Sequence, residues 1–198
     1  MSLANALLAA GSSSRFEGGD KLMAPIAGAP LCLHAANAAR KLPAIAHWAI
    51  TSPDYPARAC ALEAGGWTIA VNENAHTGQA SSIALAARLA DGTGVDRLLI
   101  LLADMPFITT GHLHAVVQAG ETAVAAMSRC GPALLPPACF SRTAFPGLEK
   151  LTGDAGAKSV FKTLEPRSEI RMDASMAEDI DTVADWKAAM AKGALIHG

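Results

Sequence analysis

Two cations, Arg15 and Lys21, stand in a run of small residues that reads LLAAGSSSRFEGGDKL over positions 7–22. A short apolar stretch, Ala4 to Ala10 broken only by Asn5, stops at Gly11. Ser12, Ser13 and Ser14 follow, then Arg15, the pair Gly18-Gly19 and Lys21. A strand running into such a loop is how a chain builds a cradle for phosphates. Glycine lets backbone N–H groups approach an anion, serines add donors, and Arg and Lys neutralise its charge. Two familiar phosphate loops do not fit. The dinucleotide fingerprint G-x-G-x-x-G fails because no glycine stands two residues after Gly11. The P-loop fails because Lys21 lies between Asp20 and Leu22. Nicotinamide-dependent redox chemistry is therefore without its signature.

Acidic counterparts appear later in the chain. Asp104 follows the apolar run Leu98 to Ala103 and opens Asp104-Met105-Pro106-Phe107. A carboxylate at the mouth of a buried strand suits Mg²⁺, which takes one or two carboxylates and completes its octahedron with phosphate oxygens and water. Asp179-Ile180-Asp181-Thr182 precedes the last expected helix, and alternation along an extended segment turns Asp179 and Asp181 to one side. Thr182 and Asp185 also stand in capping-box positions. Gly78-Gln79-Ala80-Ser81-Ser82 opens an alanine-rich helix, with Ser81 or Ser82 as N-cap. Gly153-Asp154-Ala155-Gly156-Ala157-Lys158 reads as a glycine-bounded turn with Asp154 as helix cap. His112 and His114 lack a supporting third ligand, which argues against a histidine metal site.

The elements that must position these residues alternate. Strands are expected at Ala46–Thr51, Thr68–Val71, Leu98–Ala103 and Thr122–Met127, and helices at Leu31–Leu42, Pro56–Ala64, Ser81–Ala90, after Thr110, at Gly156–Leu164 and at Thr182–Lys192. The run LLILLA is apolar on both faces, as a central parallel strand covered by helices must be. Such alternation predicts an α/β fold with a doubly wound, mostly parallel sheet. In such sheets ligands bind beyond the carboxyl ends of the strands. Residues 131–147 hold four prolines and little periodicity, and read as part of an acceptor-binding lobe spanning about 130–160 within one domain of 198 residues.

Composition narrows the class. Hydrophobic residues make up 51% and charged ones 17%, which favours a compact core over disorder. A net charge of −2 gives no electrostatic footprint for nucleic acid. No apolar run approaches the length needed to span a membrane, and the apolar N-terminus has no basic residues ahead of it, against a signal peptide. Four cysteines without a C-x-x-C pair read as reduced thiols of a cytoplasmic protein.

The loop resembles the signature of nucleotidyltransferases that load a nucleotide onto a phosphorylated acceptor, above all the molybdenum-cofactor cytidylyl- and guanylyltransferases. Leu8-Ala9-Ala10-Gly11, Arg15 and Lys21 carry the match, with Ser12 in the same nucleotide-binding loop. The resemblance runs from residue 7 to about 186 and implies a Rossmann-like, three-layer α/β/α fold of the nucleotide-diphospho-sugar-transferase type. It further implies a metal-binding Asp104 in the L-A-D-x-P segment, with Asp181 (Asp179 as second choice) as the other metal contact. Asn72, Gly78 and Ser82 then lie near the nucleoside, and Gly153, Asp154 and Gly156 on the acceptor side. The reaction implied is Mg²⁺-dependent transfer of a nucleoside monophosphate from CTP, or GTP, to the terminal phosphate of a pterin, releasing pyrophosphate. The product would be passed to a molybdoenzyme apoprotein. Arg15 and Lys21 would hold the triphosphate. Three departures stand out: Glu17 where relatives have glycine, Val183-Ala184 in place of Pro-Glu, and a Met105-Pro106-Phe107 of guanylyl character beside a cytidylyl-like GDAGAK. The alternatives are a transferase for a sugar or polyol phosphate and a non-catalytic nucleotide-binding chaperone.

Overall fold

The computed structural model describes residues 1–17 and 19–196; Gly18 of the expected glycine pair lies outside the described residues. The chain begins with β1 (Leu3–Leu8), passes through the loop and a 3-10 turn at Lys21–Met23, and makes a small antiparallel hairpin from β2 (Pro25–Ile26) and β3 (Ala29–Pro30). There follow α1 (Leu31–Arg40), β4 (Ala46–Thr51), α2 (Pro56–Ala64), β5 (Thr68–Val71), α3 (Gln79–Thr93) and β6 (Arg97–Leu102). After α4 (Thr110–Thr122) come β7 (Ala125–Cys130), β8 (Ala133–Ser141), α5 (Phe145–Glu149), α6 (Ala157–Phe161), β9 (Arg167–Arg171) and α7 (Val183–Ile196).

The main sheet has seven strands in the order β5-β4-β1-β6-β8-β7-β9. The first four in that order are mutually parallel, β8 runs antiparallel to both neighbours, and β9 is parallel to β7. Side-chain alternation sorts the core into two layers. Leu3, Leu7, Leu99 and Leu101 pack with α1, α2 and α4, whereas Ala4, Ala6, Leu98 and Ile100 pack with α3, α5 and α6. Helices therefore cover both faces, the three-layer arrangement read from the sequence. Asn5, the one polar residue in the first strand, is fully buried and donates to the Ala39 carbonyl at 3.0 Å, so it ties β1 to α1.

Order reverses at β1: the chain goes outward to β4 and β5, then returns to place β6 on the other side. The crevice beyond the carboxyl ends of two such strands is where an α/β sheet binds ligands. Here Leu8 and Leu102 are register partners, and Ala103 donates to the Leu8 carbonyl at 3.1 Å. The Gly11 loop and Asp104 thus leave the sheet side by side.

Several elements differ from the sequence reading. Residues 131–147, where the sequence shows little periodicity, contain β8, which lies inside the sheet between β6 and β7. The register of β7 against β8 jumps from Met127↔Ala138 to Ser128↔Leu135, which leaves Pro136 and Pro137 in a bulge. Proline has no N–H for a ladder, so a bulge is where a strand can hold it. The expected strand at Thr122 starts at Ala125, since α4 runs through Thr122. The helix expected to Leu164 ends at Phe161, and β9, hidden in polar alternation, follows it. No helix among the described residues is long and apolar enough to cross a membrane.

Candidate active site

Lys21 sits in the 3-10 turn that closes the loop. Its ammonium donates to Asp104 Oδ2 at 2.8 Å and to Asp181 Oδ1 at 2.7 Å, and so bridges the two carboxylates. Arg15 reaches the other oxygen of Asp181 at 2.7 Å from a largely exposed side chain. Two cations from the loop thus face two acids, Asp104 from the middle of the chain and Asp181 from near its end. The segment carrying Asp181 is held beside the Asp104 turn by the backbone bond from Ile180 N–H to the Asp104 carbonyl, 3.1 Å. Thr182 and Asp185 form the expected reciprocal cap: Thr182 N–H donates to Asp185 Oδ2 at 2.8 Å, and Asp185 N–H to Thr182 Oγ1 at 3.2 Å. Asp104 Oδ1 is buried without a hydrogen-bond partner, although its twin Oδ2 is bonded to Lys21.

The charges follow from this packing. Burial alone would pull the Lys21 ammonium down, but the Asp104 and Asp181 carboxylates outweigh it and hold the group above its ordinary value. Partial burial lifts the Asp179 carboxyl above its usual range even with some of its surface open to solvent, and the charges of Asp104 and Asp181 add to the rise. Asp179 is exposed and lies within electrostatic range of Asp104, Asp181 and Lys21. Glu17 is exposed.

A cleft of about 240 Å³ opens beside the cluster, lined by Ala10, Gly11, Ser12, Gly78, Ser82 and Asp104 among others. Six of the expected nucleotide and metal residues thus line one cleft. Asp179 and Asp181 are not in its lining, and neither are two of the expected nucleotide residues. Ala9 turns into the core, its N–H bonded to the Ile50 carbonyl at 2.8 Å. Asn72 is buried behind the cleft, where its amide donates to Ser81 and Ser82 hydroxyls, both at 2.9 Å, and steadies the start of α3. The serines are not the N-cap of α3; that position is Gly78, and Ser81 bonds back to the Gly78 carbonyl at 2.8 Å.

Gly78 has a positive φ of 113°, and a Cβ there would lie 2.3 Å from the Gly153 carbonyl oxygen. The turn at 153–154 docks on this bare backbone, with Ala80 N–H donating to the Gly153 carbonyl at 3.1 Å. Asp154 does not cap α6, whose N-cap is Gly156. Instead it stands between the first cleft and a second of about 470 Å³, lined by Ile100, Leu134, Pro136, Gly156, Lys158 and Lys162 among others. The antiparallel direction of β8 brings its first residues to this rim, next to the end of β6.

Sequence reasoning missed Arg58. It is fully buried on α2 and bonded to the loop at several points, in a helix to which the sequence assigned no site residue. The only signal was an arginine among the small residues of PARACALEA, which periodicity does not mark.

A family model described as the MobA-like NTP transferase domain matches residues 6–169. The chain belongs to that family. Its matched residues form an NTP transferase domain. Within the family's reach lies a curated relative, purine catabolism protein PucB of Bacillus subtilis, 34% identical over 123 residues; the match covers 61% of this chain and 60% of that protein's length. Rv0371c from Mycobacterium tuberculosis superposes with a TM-score of 0.82 at 22% identity, covering 96% of this chain and 98% of the other. A structure of Rv0371c in complex with manganese gives 0.78 at 20%, with 96% and 99% covered. Molybdopterin-guanine dinucleotide biosynthesis protein A from Archaeoglobus fulgidus gives 0.73 at 16%, with 96% and 98% covered. These structural likenesses show the shared mostly parallel α/β fold.

Two substitutions test the geometry. Lys21→Met leaves Asp104 and Asp181 facing each other, and is expected to cost about 1–3 kcal/mol, less than a fully buried pair because both acids are partly solvated. The folded value of Lys21 lies above the free side chain's 10.5, so in the native protein the bridge contributes fully below that pH and fades as pH rises through the folded value. The variant lacks this group, so its stability shows no such alkaline fade. Urea denaturation of both proteins between about pH 7 and 12 reads the difference, and equal pH slopes would contradict the bridge. Gly78→Ala must push the 153–154 turn away and is expected to cost about 1–3 kcal/mol; an unchanged denaturation midpoint would contradict the close approach.

Proposed function

We propose that the protein transfers a cytidylyl group from CTP, with GTP as the second choice, to the terminal phosphate of a pterin acceptor. The observation that carries this reading is the pair of adjoining clefts that share Leu8, Gln79 and Asp154. One is walled by the Gly11 loop and Asp104. The other joins an apolar wall, Leu134, Leu135 and Pro136, to two ammonium groups, Lys158 and Lys162, the chemistry that a flat ring bearing a phosphate monoester requires. The Archaeoglobus neighbour, a molybdopterin-guanine dinucleotide biosynthesis protein, supports the same acceptor class.

A divalent ion fits the acids. Asp104 Oδ1 is buried with no partner, and Asp181 stands across Lys21 from it. Among the described residues no group of three or more His, Cys, Asp or Glu could hold a metal, so the donor set is two carboxylates completed by substrate oxygens, as Mg²⁺ prefers. Asp104 and Asp181 would hold it, with Asp179 the reserve ligand; when bound, it neutralises charge on the triphosphate. The manganese complex of Rv0371c supports a divalent ion in this fold.

On this reading Lys21 and Arg15 exchange carboxylate oxygens for triphosphate oxygens, and Ser12 with the backbone N–H of Gly11 orients the nucleotide. Nucleotidyl transfer asks for alignment and charge neutralisation more than covalent help. The acceptor phosphate, already an anion, attacks the α-phosphorus in line from the Lys158 side. A new P–O bond forms, the bond from the α-phosphorus to the bridging oxygen breaks, and pyrophosphate leaves with the electron pair. No general base is required.

Pyrophosphate release tests the whole. With Mg²⁺, CTP and molybdopterin, turnover is expected, with slower turnover on GTP and none with a sugar phosphate as acceptor. Asp104→Ala is expected to reduce it about a hundredfold or more while the protein stays folded. A saturating nucleotide at about 100 times its dissociation constant adds roughly 2.7 kcal/mol and raises the melting temperature. Turnover on a sugar phosphate in place of the pterin, or unchanged activity of Asp104→Ala, would overturn this assignment.

A further inference from the structure

Arginine is almost never fully buried unless it is paired, and Arg58 has no exposed surface. All its donors are taken. Nε bonds both oxygens of Asp20 at 2.8 and 2.7 Å, and Nη2 bonds Asp20 Oδ1 at 2.7 Å. Nη1 donates to the carbonyls of Ala9 at 2.9 Å and Gly11 at 2.7 Å, and Nη2 to Ser13 Oγ at 2.8 Å. The guanidinium carbon lies 3.7 Å over the centre of the Tyr55 ring, and Tyr55 in turn donates its hydroxyl to the Ser12 carbonyl.

These partners are not a random selection of core acceptors. Ala9, Gly11, Ser12 and Ser13 begin the loop, and Asp20 ends it. Asp20 also accepts from Leu22 N–H at 3.0 Å and so caps the turn that carries Lys21. Ser13 Oγ accepts from Lys21 N–H at 3.2 Å, and Ser13 holds a positive φ of 51°, a conformation that a non-glycine residue keeps only when its surroundings impose it. One planar cation therefore fixes the entrance and the exit of the loop at once. Because it takes up the carbonyls of Ala9 and Gly11 from behind, it leaves acceptor groups out of the cleft face, where an anion would be repelled by them.

We propose that Arg58 is a positioning residue for the nucleotide: it locks the loop so that Lys21 and the Gly11–Ser12 backbone meet the triphosphate, without touching it. This rests on the proposed role of the loop. Lysine cannot substitute, because a single ammonium offers three donors from one point where the guanidinium spreads five in a plane.

The test separates anchoring the loop from supporting the fold. Arg58→Lys keeps the charge opposite Asp20, and Tyr55→Phe keeps the ring over the guanidinium while removing the bond to Ser12. Binding of Mg²⁺·CTP by calorimetry and KM for CTP against KM for the acceptor are measured for both, beside the ligand-free melting temperature. The expected result is a nucleotide dissociation constant raised about tenfold or more in Arg58→Lys, roughly 1.4 kcal/mol. Tyr55→Phe should show a smaller rise of the same kind, and the acceptor KM should stay within about twofold in both variants. If Arg58→Lys does not fold, Tyr55→Phe decides alone. Unchanged nucleotide affinity in a folded variant, or equal losses for nucleotide and acceptor, would overturn the inference and leave the proposed function intact. A native protein that binds neither CTP nor GTP would overturn both.

Discussion

An ammonium held between two carboxylates sets the terms for this molecule. Two acids about 4 Å apart repel by roughly 4 kcal/mol at an effective dielectric of 20. The sheet rim nevertheless brings Asp104 and Asp181 together, and Lys21 at 2.8 and 2.7 Å cancels that repulsion. Arg15 adds the second positive charge, so two cations match two acids before any ligand arrives. On the proposed function, these are the groups that a triphosphate and its counter-ion would redistribute. Much of the surrounding architecture serves that one contact: the Asp20 cap aims Lys21, the cap of α7 fixes Asp181, and the order reversal at β1 sets Asp104 beside the loop.

Membership in the MobA-like NTP transferase family and the seven-stranded sheet agree at the level of topology. The parallel half, β5-β4-β1-β6, holds the Gly11 loop and Asp104. The other half, β8-β7-β9 with α5 and α6, contributes β8 and α6 to the second cleft, where Leu134, Pro136, Lys158 and Lys162 face Leu8, Ile83 and Ile100 of the parallel half. Gly78 joins the halves, since the 153–154 turn approaches closer than any side chain there would allow.

The parallel half was legible because its physics is periodic. LLILLA is apolar on both faces, AHWAIT reads as a second buried strand, and α3 is an alanine run with a left-handed Gly94 at its end. The acids and cations were legible by type, since strand-end carboxylates and loop cations are few in a chain with so little charge. What could not be read depends on contacts between distant residues. Two adjacent prolines argue against a central strand, and only the bulge against Met127 and Ser128 reconciles Pro136 and Pro137 with one. Ala9 has the right motif but is buried just past β1, where its N–H is held by the Ile50 carbonyl. Asp154 looks like a helix cap until the turn at Gly153 is seen resting on α3. Arg58 belongs to the same class: its importance lies in what it meets forty-odd residues upstream, which no local pattern records.

The reversed strand β8 has one more consequence. Because it runs against β6, the hairpin bend that joins it to β7, at Gly131 and Pro132, points to the same edge of the sheet as the loop after β1. Residues inserted at that bend would extend a wall over the second cleft without shifting any strand pairing below. The protein therefore carries a place where a new partner molecule can be accommodated by lengthening the chain, while the half that would grip the triphosphate stays as it is.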